Sequence, residues 1–83
     1  MSGVHANLES LEGTVSTETT LALVRKSRKI VITNDHPTND MTFKFNSSET
    51  EATLHGTETI SLYFTTNQII IDGSGPYRIW IFG

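Results

Sequence analysis

The side chains able to act as nucleophile, base or metal ligand are few and scattered. The three histidines are His5, His36 and His55; His36 precedes Pro37 and His55 precedes Gly56, so both read as turn residues. There is no cysteine, and no serine sits in a Gly-x-Ser-x-Gly elbow. That removes thiol catalysis, thiolate metal sites and the commonest serine-hydrolase geometry. A chain of 83 residues also has little interior to spare for a catalytic pocket. The sequence therefore predicts a non-enzymatic protein without a cofactor.

Oxygen ligands are densest in "TNDHPTND", where the triplet Thr-Asn-Asp occurs twice, at 33–35 and 38–40. Calcium favours such loops, but no EF-hand spacing is present. Asn, Asp and Pro are also what a turn uses. The turn is the preferred reading, and no metal is expected. Asn46-Ser47-Ser48 matches a glycosylation acceptor, which means little without an export signal.

The basic residues form the sharpest local signal. Net charge is −3, with six Lys/Arg against nine Asp/Glu, yet Arg25, Lys26, Arg28 and Lys29 fall within five positions. Such a run is a solvated strand entrance, protecting an edge by charge, a contact with an acidic partner, where it steers association and sets register, or a phosphate-binding segment. A nucleic-acid partner is not expected, because the aromatics lie far from the run in sequence and the rest of the chain is acidic. No segment approaches the ~18 apolar residues of a membrane span. The N-terminus lacks the basic region and apolar stretch of a secretory signal, so synthesis in the cytoplasm is expected.

Thirteen Thr and eight Ser point to β structure. "KIVITND", "MTFKFN" and "TISLYFT" alternate apolar and polar residues, and "QIIID" is a short apolar run. Period-2 alternation with half-polar faces marks antiparallel sheets with one wet side. "NDHPTND", "NSSE", "LHGT", "TTNQ" and "DGSGP" break the chain every 8–12 residues. The expected fold is all-β: a small antiparallel β-sandwich or barrel of six to seven strands over residues 14–83. Residues 1–13 stand apart as an N-terminal arm. Val4, Leu8, Leu11 and Val15 follow a spacing that suits a short amphipathic helix, either loose, ordered on a partner, or capping the domain. The last strand, "YRIWIF", is apolar on both sides, with Tyr77, Ile79 and Ile81 on one face and Arg78, Trp80 and Phe82 on the other. Such a strand is expected inside a sheet, with its second face covered by the other sheet, the N-terminal segment or a neighbouring subunit.

Residues 27–83 resemble small accessory virion proteins of tailed bacteriophages, of the head-decoration, head-fibre and neck type. The resemblance is carried by "SRKIVITND", "DMTFKFN", "TLHGTETISL" and "IIIDGSGPYRIWIFG". It implies a structural protein of a phage particle, made in the host bacterial cytoplasm and located in the virion. Its partner would be the major capsid or connector protein. A thin core without disulfides suggests a homo-oligomer, a trimer if it sits on capsid three-folds. The expected contact residues are Val4, Leu8, Leu11, Arg25, Lys26, Arg28, Lys29 and Trp80. The alternatives are a neck or tail adaptor, or a carbohydrate- or cell-surface-binding module that uses Trp80, Tyr63, Tyr77 and the "TNDHPTND" loop. A solvent-facing Trp80 among polar residues would favour sugar.

Overall fold

The computed structural model describes residues 8–48 and 50–83. They contain eight strands: β1 (Leu8–Val15), β2 (Thr19–Ala22), β3 (Lys29–Asn34), β4 (Met41–Lys44), β5 (Ala52–Leu54), β6 (Thr59–Leu62), β7 (Gln68–Gly73) and β8 (Gly75–Phe82). Two four-stranded sheets form, in the orders β1-β8-β3-β6 and β2-β7-β4-β5. Pairing is antiparallel, and β1 joins β8, β2 joins β7, β3 joins β6 and β4 joins β5. The chain thus doubles back at the β4–β5 hairpin, and the resulting ribbon is wound into two layers. This is the strand order of a jelly roll, one of the ways an antiparallel fold limits its open edges. The expected β-sandwich is what forms, with eight strands among the described residues where six to seven were expected.

The inward residues follow from the alternation. Ile30 and Ile32 of β3 and Ile79 and Ile81 of β8 meet Ile69 and Ile71 of β7, Met41 and Phe43 of β4, and Leu54 of β5. Ile30, Ile32, Ile69, Ile71, Ile79 and Leu54 are fully buried. Burying a side chain of this size stabilises by roughly 1.5–3 kcal/mol. Isoleucine suits these positions because its branched Cβ is stiff and fills a pleated surface. Strand β8 is internal, between β1 and β3, as its two apolar faces predict.

One expectation needs correcting. Residues 8–13 are not helical; they belong to β1, which pairs along its whole length with β8 and runs across the boundary expected at residue 14. A helix would put Leu8, Leu11 and Val15 on one face. The strand turns Leu11 and Val15 inward and leaves Leu8 47% exposed. Gly13 weakens a helix by about 1 kcal/mol. In the strand its missing side chain makes room for the Tyr77 ring, whose hydroxyl would lie 3.0 Å from a Cβ there. The remaining residues assigned to the arm, Val4 among them, lie outside the described residues.

The β7–β8 corner uses the freedom of glycine. Gly73 and Gly75 both have φ +139°, a region that L side chains rarely enter, and a Cβ on Gly75 would approach the His36 ring to 2.8 Å. This corner carries the chain from one sheet to the other and aims β8 between β1 and β3.

Candidate functional site

The five-residue basic segment runs from the β2–β3 loop into the first residue of β3, and Ser27 at its centre is fully buried. The Ser27 hydroxyl donates to the Phe64 carbonyl at 2.6 Å and accepts from the Thr66 amide at 3.1 Å. Its own amide donates to the Thr66 carbonyl at 2.8 Å. Either side of it, the Leu23 amide donates to the Asn67 carbonyl and the Arg28 amide to the Phe82 carbonyl. The Val24 amide donates to the Glu9 carboxylate at 3.1 Å. The loop backbone is therefore anchored to three neighbouring segments, while Arg25, Lys26 and Arg28 are exposed. Sequence reasoning missed Ser27, since a serine among cations reads as solvent-exposed.

Arg25 and Lys26 line an open groove of about 250 Å³ with Leu8, Glu9, Val24 and Ile81. Val24 is 82% exposed beside them. Thus Leu8 meets Arg25 and Lys26, which are far from it in sequence. Leu11 does not join them, because it packs against the core.

Lys29 separates from the run. As the first residue of β3 it lies on the outer face of the β1-β8-β3-β6 sheet, away from β2-β7-β4-β5. Cross-strand register sets Lys29 beside Phe82, and Phe82 beside Leu8. The Lys29 Nζ stands 5.4 Å from the Tyr63 ring centre and 5.7 Å from that of Phe82, within cation–π range. The next row is Ser61, Val31, Trp80 and Ser10; the third is Thr59, Thr33, Arg78 and Glu12. Trp80 is half-buried, with the Arg78 guanidinium 5.3 Å from its ring. Tyr63 is 82% exposed. The second face of β8 is thus not covered by the other sheet. The basic–aromatic interleaving absent from the linear sequence arises here, because β3 runs between β6 and β8.

At the opposite end the polar loops are closed on themselves. Arg78 donates through Nε and a second guanidinium nitrogen to the two Asp35 oxygens, at 2.7 and 3.0 Å. That pair holds the Asp35 carboxyl below its ordinary pKa and raises the Arg78 guanidinium. Asn34 donates to the Asn39 and Leu54 carbonyls and accepts from the His36 amide. His36 Nδ1 accepts from the Thr38 and Asn39 amides. His55 Nδ1 lies 3.0 Å from Asp40, whose hydrogen bond and then charge raise the imidazole pKa. Asn34, Asp35, His36, Asn39 and Asp40 of "TNDHPTND" thus make turn contacts and ion pairs. Asp72 of β7 and Glu18 and Glu51, each just before a strand of the other sheet, bring their oxygens within 4.8 Å of one another. There Lys44 already stands 3.8 Å from Glu18.

Comparison with protein-family models and with curated proteins finds no match for this chain.

Proposed function

We propose that the chain is a non-enzymatic assembly domain of a bacteriophage particle, docking on an acidic surface of the capsid or connector through its basic loop. One observation carries the reading: Ser27 and the flanking backbone bonds hold Arg25, Lys26 and Arg28 outward on a loop whose conformation is already set. A pre-ordered charged loop loses less entropy on binding than a flexible one, so more of its Coulomb attraction appears as affinity. The apolar patch of Leu8 and Val24 beside the cations supplies burial at the centre of such a contact. The jelly-roll strand order supports the reading by analogy, since viral shell proteins and lectins both use it.

The test is density-gradient sedimentation of particles from cells carrying the gene, with mass spectrometry of the particle fraction. The chain is expected in the particle band at a fixed ratio to the major shell protein. Recovery solely at the top of the gradient overturns the proposal.

The carbohydrate reading has one observation in its favour. Trp80 lies on an open sheet face, with Ser10 beside it and Ser61 in the same row. A sugar stacking there would change the fluorescence of the only tryptophan. Fluorescence that does not respond to an oligosaccharide panel removes this alternative.

A further inference from the structure

We propose that the partner engages the open edge of β1: an extended segment of the acidic shell surface pairs with it as an additional strand of the β1-β8-β3-β6 sheet. The inference deepens the docking role and rests on it, since the acidic end of that segment is what the basic loop holds.

The edge follows from strand lengths. Among the described residues, β1, β6, β2 and β5 each have one side that no other strand occupies. Three of them have only three or four residues, the short edges by which antiparallel proteins discourage further pairing. Strand β1 has eight, pairs with β8 without a bulge, and contains no proline or lysine. A long, regular edge of this kind is a template for another strand.

Its open groups can be assigned. The Asp35 amide donates to the Pro76 carbonyl, so the Pro76 carbonyl faces β3. In an antiparallel ladder the amide and carbonyl of one residue face the same side, and successive residues alternate. The backbone groups of Arg78, Trp80 and Phe82 therefore face β3, and those of Tyr77, Ile79 and Ile81 face β1. Register then bonds Glu9, Leu11 and Gly13 to β8. Leu8, Ser10, Glu12 and Thr14 turn their amides and carbonyls outward. No other segment bonds to these groups among the described residues.

Charge selects the occupant. Strand β1 begins at Leu8, in the groove that Arg25 and Lys26 also line, so this end of the edge is cationic. A segment running antiparallel to β1 brings its C-terminal end there, and an acidic residue at that end meets the basic loop. Further along, Glu12 is exposed and favours a Lys or Arg opposite it. The residue opposite Leu11 faces inward and is apolar. A second copy of β1 is a poorer fit. Two antiparallel registers keep the inward face inward and join residues 8–14 or 9–15 of both copies. They set Glu12 diagonal to its counterpart or directly opposite it, where like charges destabilise the pair. Arg78 lies near Glu12 but is already paired with Asp35.

Particles that lack the chain supply the test. A Ser10→Pro, Thr14→Pro double variant removes two outward amides and no bond to β8, so its melting temperature is expected within about 3 °C of wild type. Its co-sedimentation with particles should fall at least about tenfold, although Arg25 and Lys26 are intact. Hydrogen exchange of wild type gives a second readout that needs no variant. The Ser10, Glu12 and Thr14 amides should exchange as open groups in the free chain, and at least about tenfold more slowly on the particle. Equal sedimentation of the folded variant, or unchanged exchange on the particle, overturns the edge and leaves docking through the basic loop standing. Slow exchange in the dilute free chain means that the edge is already paired, and overturns the proposal. So does a two-chain mass by light scattering that the variant reduces to 9.2 kDa, which gives the edge to a second copy. Wild type that stays at the top of the gradient overturns the docking reading, and the edge with it.

Discussion

Ser27→Ala is the sharpest test of how the basic loop is held. The serine is fully buried, and its hydroxyl serves the Phe64 carbonyl and the Thr66 amide at once, bonds of 2.6 and 3.1 Å. Alanine fits the space but leaves one acceptor and one donor of the 63–67 loop without that partner. Leaving a buried group unsatisfied costs roughly 1–3 kcal/mol. Both groups are only partly buried, and solvent can reach them on relaxation, so we expect about 2 kcal/mol in total. For a domain of this size 1 kcal/mol moves Tm by about 4–8 °C, which predicts a fall of about 8–16 °C. The assay is thermal unfolding by circular dichroism, with Ser47→Ala as a control at an exposed position of the β4–β5 loop. The control should melt within about 2 °C of wild type. Amide exchange should quicken at Arg28 and Thr66 before it does so in β3. If Ser27→Ala melts within about 3 °C of wild type, the pinned-loop argument fails.

Other substitutions probe the remaining elements. Leu11→Ser should cost about 1–2.5 kcal/mol, since Leu11 packs on the core, whereas Leu8→Ser should change monomer stability by under about 0.5 kcal/mol. Equal effects in urea titration would restore the helical reading of residues 8–13. Gly75→Ala combines a φ of +139° with a Cβ 2.8 Å from the His36 ring, and should lose about 2–3 kcal/mol on denaturant unfolding; a neutral result would mean the corner is laxer than it looks. His55 has a raised pKa from Asp40. Its stabilising contribution is therefore complete below the free imidazole value of about 6.5 and is lost as pH rises through the higher folded value. His55→Gln should flatten the stability profile in that window, and an unchanged slope would contradict the pairing. Asp35 runs the other way: its lowered pKa contributes stability above the free carboxylate value, lost as pH falls through the folded one. Asp35→Asn should accordingly soften the acid limb of the melting curve, and an identical limb would remove the Arg78 pair from the account.

The parts of the fold that could be read from the chain were those where one residue predicts the next but one. Met41 and Phe43 alternate with Thr42 and Lys44, and period 2 has only one structural meaning over such a short run. Strand β1 was misread because Leu11 and Val15 satisfy both periods, and its partner β8 lies at the far end of the chain. Local spacing cannot weigh a pairing that distant. The proposed docking surface was legible in composition but not in arrangement. Arg25 and Lys26 stood out as a run, yet their grouping with Leu8 depends on β1 being a strand. Lys29 was counted with that run, but strand direction turns it towards Tyr63 and Phe82. Ser27 left no sequence signal, because its role depends on two carbonyl and amide groups nearly forty positions away.

Adding purified chain back to particles that lack it addresses the docking claim most directly. We predict that wild type co-sediments with the particles, and that an Arg25→Glu, Lys26→Glu double variant of unchanged melting temperature stays at the top of the gradient. Particle binding by the double variant equal to that of wild type would contradict docking through the basic loop.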